Sequence, residues 1–403
     1  MKIVEINSVL YGSTGKIMLQ IAEQARLEGH QVSVCVPLGR HNKKGNENTI
    51  YIGNRMAEDF HLILSRISGF NGNFSIISTL KFIKKIKKIQ PDIIHLHNLH
   101  NSYINLPLLF RYIKNEDISV VWTLHDCWAF TGHCPYFTMV KCNKWKKGCN
   151  HCPSYREYPE SFVDTTKITW KLKQKWFTGV KNLTIVTPSR WLAKLTKESF
   201  LQEYNVKVIN NGIDINIFKP TVTNFRDKYQ ITDKQIILLG VAFDWGIRKG
   251  IDVFVDLYDR LDSQIYKIVL VGVDADQAKK LPRGIITISR TRNQKELAEV
   301  YSAADILINP TREDNYPTVN MEAIACGTPV ITFNTGGSVE VITKETGAVV
   351  PCNDIDALEK KIYNLMENNS FPKEKLTDIA KKFDCKKRFE EYIKLYEDIT
   401  YCT

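Results

Sequence analysis

What the chain lacks sets the first bounds. None of its apolar runs approaches the roughly eighteen residues that a membrane-spanning helix needs. The opening stretch MKIVEINSVLYG has neither the basic start nor the apolar core of a secretory signal. The expected setting is therefore cytoplasmic, where the ten cysteines serve as reduced thiols or metal ligands. Low-complexity linkers and short-period repeats are missing as well, so the chain reads as folded domains throughout. Acid is scarce in the front half. Residues 1–219 carry 30 Lys and Arg against 16 Asp and Glu, while residues 220–403 carry 25 against 28. One half then faces something anionic: nucleic acid, a membrane surface or a phosphorylated acceptor.

What is present is a repeated alternation of short β-rich runs with helical patterns. KIVEINSV, QVSVCVP, DIIHLH, SVVWTLHD and LTIVTPS read as buried parallel strands. The series restarts with VKVINNG, QIILLGVAF, YKIVLVGV, GIITISR, DILINPT and TPVITFN. Two such series predict an α/β protein of two doubly wound, Rossmann-like domains facing across a cleft. We expect the first at 1–205, with a cysteine-rich insertion at 127–152, and the second at 206–385. The closing helix, 386–403, is expected to pack back toward the first. Ligands of open α/β sheets bind beyond the carboxyl ends of the strands. His97, His125, Asp126 and Asp314 all fall at such ends.

Three stretches suggest chemistry. YGSTGKI offers Gly12 and Gly15 at a strand-to-helix loop, where backbone amides approach a phosphate or a sugar. It lacks the third glycine of a dinucleotide fingerprint and is not a P-loop, so an ordinary tight turn explains it equally well. REDNYPTVNMEAIACGTPVI places Asp314 before a short helix, expected from about Pro317 to Cys326, with Gly327 beyond its end. The amides around Thr318, Val319 and Asn320 would meet an anion there. Glu322, one turn in, would accept hydrogen bonds from vicinal hydroxyls. A diphosphate at the helix start, a ribose on Glu322 and a sugar near Asp314 satisfy the whole stretch. GVAFDWGIRKGID supplies Arg248 and Lys249, two cations able to neutralise that diphosphate. Asp274 and Asp276 imitate a metal-binding pair, but a solvated loop accounts for them, and Asp354 reads as a helix cap.

The ordered set TLHD, TPSRW, NNGID, RKGID and YSAADILINPTREDNYPTVNMEAIACGTPVITFNTGG resembles the family-four retaining glycosyltransferases, which have the GT-B fold. Bacterial surface-polysaccharide enzymes of that family are the nearest in flavour. The resemblance implies that Arg248 and Lys249 bind the diphosphate and Glu322 the ribose, with Asp314 near the donor sugar. It makes His125 the cleft histidine of the first domain, and Asn211, Gly212 and Asp214 the loop after the linker. It implies sugar transfer from a nucleoside diphosphate donor to a lipid-linked saccharide in capsule, exopolysaccharide or O-antigen synthesis, without a catalytic metal. Two positions depart from the pattern. Phe243 stands where the family has an arginine six residues before the lysine. DNYP replaces a glycine-rich EGFG, which removes one amide donor near the sugar.

Two features lie outside that frame. Cys134, Cys142, Cys149 and Cys152 include one Cys-x-x-Cys pair and fit a structural zinc, with His133 and His151 to spare; reduced thiols or local disulfides fit as well. TLKFIKKIKKIQP puts Phe82, Ile83, Ile86 and Ile89 on one helical stripe among five lysines, Lys81, Lys84, Lys85, Lys87 and Lys88. That is either a surface helix with a buried stripe or a dock for anionic membranes. A nucleotide-sugar epimerase would share the nucleotide grip but leave the basic front domain without a task. A zinc-bearing nucleic-acid binder would leave the stretch from Asp314 to Glu322 unexplained, so nucleic acid is not an expected partner.

Overall fold

The computed structural model describes residues 1–39, 42, 48–368 and 371–401, in two compact units. Unit 1 spans Met1–Asn210 and takes in the chain again from Arg388, and unit 2 spans Asn211–Lys387.

Unit 1 is a parallel sheet of β1 (Lys2–Ile6), β2 (Gln31–Pro37), β3 (Thr49–Ile52), β4 (Ile93–Leu96), β5 (Ser119–Thr123), β6 (Leu183–Thr187) and β7 (Asn205–Val208). The order is β3-β2-β1-β4-β5-β6-β7. Its helices are α1 (Gly12–Leu27), α2 (Arg55–Ser68), α3 (Ile76–Ile89), α4 (Leu106–Asn115), α5 (Thr166–Phe177) and α6 (Arg190–Lys197). The central strands β4, β5 and β6 are buried along their whole length, as parallel strands covered on both faces must be.

Unit 2 is a second parallel sheet, ordered β10-β9-β8-β11-β12-β13. Its strands are β8 (Ile236–Val241), β9 (Tyr266–Val271), β10 (Ile286–Ile288), β11 (Ile306–Asn309), β12 (Val330–Phe333) and β13 (Gly347–Val350). Its helices are α7 (Phe225–Lys228), α8 (Ile251–Arg260), α9 (Ala275–Ala278), α10 (Gln294–Ala303), α11 (Thr318–Ala325), α12 (Ile355–Asn368) and α13 (Lys373–Ala380). The last helix, α14 (Cys385–Tyr401), buries Tyr392, Ile393, Leu395 and Tyr396, and belongs to unit 1 from Arg388 on.

One strand changes sides relative to the sequence reading. VKVINNG was expected to open the second series, yet β7 pairs with β6 in register Thr184↔Asn205 to Thr187↔Val208. It is an edge strand with no residue fully buried, so its composition carries no signal of which sheet it joins. The division therefore falls after Asn210, not near 205. The short strands β3 and β13 lie between turns and were not read from the sequence.

In each sheet the strand order reverses once, between β1 and β4 and between β8 and β11. Such switch points open a crevice at the carboxyl ends of the strands.

Candidate active site

Unit 2 gathers its charged residues at the β8/β11 switch point. Gly250 holds φ +76° and packs so close to the Pro310 carbonyl that a Cβ would lie 2.4 Å from it, which draws the Arg248–Lys249 turn against the chain leaving β11. Arg312 N donates to Arg248 O at 2.8 Å, and Arg248 Nη1 donates to Glu313 O at 3.2 Å. Lys249 Nζ forms a short ion pair with Asp314 Oδ2. Arg312 clasps Asp252 through both terminal nitrogens, at 2.8 and 2.6 Å, and fixes the start of α8 to the same loop. Behind Asp314 lies Gly336, at φ +53°, where any side chain would strike the Asp314 carbonyl. The first glycine of the FNTGG pair thus answers to a close backbone approach.

The helix after Asp314 is α11. Pro317 is its N-cap rather than its first turn, and no side chain caps its amides. Thr318, Val319 and Glu322 are half-buried along one side, whereas Asn320 is buried and ties the helix to Asn309 at 2.8 Å and to Ser338 O at 3.1 Å. Glu322 Oε2 accepts a 2.9 Å hydrogen bond from Tyr301 OH. Burial and the Glu322 charge push the Tyr301 phenol well above its ordinary range, so it stays a donor. Tyr301 was missed in the sequence because it sits in the last turn of α10, buried, and reads as core. So was Arg290, whose guanidinium lies 5.0 Å from the ring of the exposed Phe243.

Unit 1 builds a different kind of site at the β1/β4 switch point. Glu5, His95 and His97 are buried with no exposed side-chain surface. His97 Nε2 donates to Glu5 Oε2 at 2.8 Å, which leaves His97 Nδ1 to accept from His125 Nε2 at 3.0 Å. His95 bonds Thr123 Oγ1 at 2.8 Å through Nε2, and its Nδ1 lies 3.0 Å from Glu5 Oε2. From α14, Tyr396 OH donates to Glu5 Oε1 at 3.1 Å. Burial alone would raise the Glu5 pKa, but the charge of His95 and the hydrogen bonds from both histidines outweigh it and hold the carboxyl at about 2. Burial lowers His97 to about 4 and holds His125 well below its ordinary value, so both imidazoles are neutral near pH 7. Among the described residues, Glu5, His95 and His97 are also the set whose ligand atoms all lie within 4.8 Å.

Asp126 accepts from His100 Nε2 at 3.0 Å and from Trp128 N at 2.8 Å. The buried Lys173 on α5 donates to Trp128 O at 2.8 Å and Thr131 O at 3.1 Å, strapping the loop after β5. His100 Nδ1 meets Tyr158 OH at 2.9 Å, beside a groove of about 320 Å³. Arg66, Asn71, Asn101, Ser102, Arg156 and Tyr158 help to line it, and Arg66 Nε, Asn71 Oδ1 and Ser102 Oγ are buried without a hydrogen-bond partner.

The remaining expectations resolve locally. Gly12 holds φ +69° as it begins α1, and Gly15 is buried where a Cβ would lie 2.5 Å from the Leu10 backbone. Close packing of the helix on its own leading loop requires the second glycine, and the positive φ favours the first. Cys134, Cys142, Cys149 and Cys152 are free thiols lining one small cavity with His133. No three of those sulfurs lie within 4.8 Å of one another. Asp354 caps the first turn of α12, as expected, whereas Asp274, read as part of a solvated loop, caps the short helix α9. The stripe of Phe82, Ile83 and Ile86 on α3 is buried, and the lysines around it are exposed.

The family model "Glycosyltransferase Family 4" matches residues 14–217, and "Glycosyl transferases group 1" matches residues 222–383. A protein of Escherichia coli (strain K12) named as a colanic acid biosynthesis glycosyl transferase is 27% identical over 279 residues, 64% of this chain and 64% of that one. The chain thus spans just under two thirds of that relative. An uncharacterized 41.2 kDa protein in the cps region of Klebsiella pneumoniae is 22% identical over 409 residues, 98% of this chain and 99% of its own. Among solved structures, HepE of Anabaena in complex with UDP superposes with a TM-score of 0.68 at 14% identity, over 99% of this chain and 100% of that one.

Proposed function

The chain belongs to glycosyltransferase family 4 and has the GT-B fold, and from that premise we propose that it transfers a sugar from a nucleoside diphosphate donor to a lipid-linked saccharide during bacterial surface-polysaccharide synthesis. The observation that carries this reading is the convergence of Lys249, Arg248, Asp314 and the uncapped start of α11 on one switch point, with Glu322 a turn further in. Arg248, Lys249 and the α11 amides stabilise charge that develops on the departing diphosphate. The Tyr301-oriented carboxylate of Glu322 accepts hydrogen bonds from the ribose hydroxyls, and Asp314 from the donor sugar. Arg290 supplies, over Phe243, the positive charge that an arginine at that position would bring. A relative associated with colanic acid and one from a cps region support the polysaccharide assignment, and the UDP held by a structural neighbour supports a nucleotide-sugar donor.

In unit 1, the hydrogen-bonded series Glu5–His97–His125 fixes His125 as the tautomer with its proton on Nε2, and that fixed imidazole is the group the acceptor hydroxyl meets. The groove beside Tyr158, with its unpartnered Asn, Ser and Arg atoms, suits an acceptor saccharide whose hydroxyls would satisfy them. The anomeric configuration is retained, the departing phosphate takes the acceptor's proton, and no carboxylate serves as nucleophile. No catalytic metal takes part. A structural zinc on Cys134, Cys142, Cys149 and Cys152 completes the reading, with the sulfurs drawing in around their common cavity. Elemental analysis of protein purified without chelators should find about one zinc per chain, and its absence from a fully active enzyme removes this element.

The reading is tested by measuring nucleoside diphosphate release from UDP-, GDP- and ADP-sugars, with and without lipid-linked saccharide from a polysaccharide-producing strain. Release from one donor that depends on the acceptor is expected. Release that is equally fast without acceptor fits a nucleotide-sugar epimerase instead.

A further inference from the structure

The helix α2 is built inside out. The residues it buries are His61 and Ser65, while Met56, Phe60, Ile63 and Ile67 are 80%, 62%, 54% and 57% exposed. Their spacing of four, three and four residues sets them on one stripe of the helix. The stripe does not end with the helix. His61 Nδ1 bonds Ser75 Oγ at 2.8 Å and so joins α2 to the start of α3, where Ile76, Ile77 and Leu80 are exposed. At the other end, Phe162 N donates to Arg66 O at 2.8 Å, which lays the exposed Phe162 and Val163 along the last turn of α2. A monomer rarely leaves a connected apolar surface of this extent bare.

From these contacts we infer that α2, the start of α3 and the loop at Phe162 form a docking face for an anionic lipid bilayer. The charges around the stripe select that occupant. Lys81, Lys84, Lys85 and Lys88 continue the exposed side of α3 beyond Leu80. Two of the acids nearby are paired, Asp59 with Arg55 at 3.9 Å and Glu160 with Arg66 at 2.6 Å. An apolar stripe edged with lysines lies in the plane of a membrane, its side chains among the upper acyl chains and its cations at the headgroups. No helix among the described residues is long and apolar enough to span, so attachment is by one face. Leu62 and Arg66 of α2 also line the groove beside Tyr158, so docking would bring that groove to the bilayer surface. The inference stands on the surface itself; it gives the lipid anchor of the proposed acceptor a meeting place but does not depend on that acceptor.

The test is co-sedimentation with phosphatidylcholine vesicles, with and without phosphatidylglycerol. Wild-type protein should sediment with the anionic vesicles at low salt. Phe60→Ser, Ile63→Ser and Ile67→Ser combined should weaken that by on the order of tenfold or more, since burial of these side chains supplies the attachment. Lys84→Gln, Lys85→Gln and Lys88→Gln combined should weaken it severalfold at low salt only. The apolar variant should keep its melting temperature and nucleotide binding, because the replaced side chains face solvent. Wild-type protein that ignores phosphatidylglycerol vesicles, or an apolar variant that sediments equally well, overturns the inference. So does a wild-type dimer that the apolar variant dissociates while neither binds vesicles, which assigns the face to a second copy. Each of these results leaves the nucleotide readout, and with it the transferase reading, intact.

Discussion

Both units place their chemistry at a strand-order reversal, and they fill it with opposite materials. At β8/β11 the groups are half-buried and charged: Lys249, Asp314, Arg248 and Glu322. At β1/β4 they are sealed, and mostly neutral, around one carboxylate. All nine histidines fall within the first 151 residues, so unit 2 has none. A site that receives a diphosphate needs cations that reach the ligand. A site that presents an imidazole to a hydroxyl needs a fixed tautomer, and burial against Glu5 supplies it. On the proposed function, the same topology serves two tasks: the switch point sets the place and the local polarity sets the chemistry.

The largest expected effect breaks the unit 2 side of this contrast. Lys249→Ala should lower kcat/KM by on the order of a hundredfold, about 3 kcal/mol of transition-state stabilisation. Its melting temperature should hardly move, because a part-exposed ion pair contributes about 1 kcal/mol or less. Steady-state kinetics beside a thermal melt checks both halves, and a loss of only a few-fold removes the diphosphate role.

Acid should separate the units by stability. His61, His97 and His133 are held by burial at about 3, 4 and 4, against about 6.5 in the unfolded chain. The unfolded state thus binds more protons between pH 6.5 and 4, and stability falls as pH drops through that window. Glu5, held near 2, stays ionised there and adds its own loss only below about 4.5. Calorimetry from pH 7 to pH 5 should show the unit 1 transition moving down by on the order of ten degrees while unit 2 stays put. Two transitions that shift together contradict the contrast.

Glu5→Gln sharpens the unit 1 side. The amide keeps the shape but turns one NH2 toward a histidine that needs an acceptor, for a cost of about 2 kcal/mol. Transfer should fall and nucleotide affinity should hold. In ¹⁵N spectra of the histidines, wild-type His125 should carry its proton on Nε2, and the variant should lose that preference. A wild-type His125 protonated on Nδ1 breaks the relay outright.

Much of this was legible in the residues because burial on both faces makes parallel strands into continuous apolar runs, and punctuation by Gly327 and Pro317 brackets α11. The edge strand β7 was misassigned for the complementary reason: a half-exposed strand has no run to read. The polar partners stayed hidden. Tyr301 and Tyr396 read as helical core, and only the fold brings them to Glu322 and Glu5. Glu5 itself lies inside an apolar strand, 90 residues from His95, where sequence spacing carries no information. The lysines of α3 drew attention to the membrane, whereas the exposed stripe belongs to α2, whose burial of His61 and Ser65 no periodicity announces.

The division of labour is tested most directly by calorimetric titration of UDP, GDP and ADP into wild-type protein and into Glu322→Ala, Asp314→Asn and His125→Ala. The account predicts that one nucleotide binds wild type, that Glu322→Ala weakens it by on the order of tenfold through lost ribose contacts, and that Asp314→Asn and His125→Ala bind it as wild type does. Equal weakening by His125→Ala, or nucleotide binding that survives Glu322→Ala unchanged, would contradict the account.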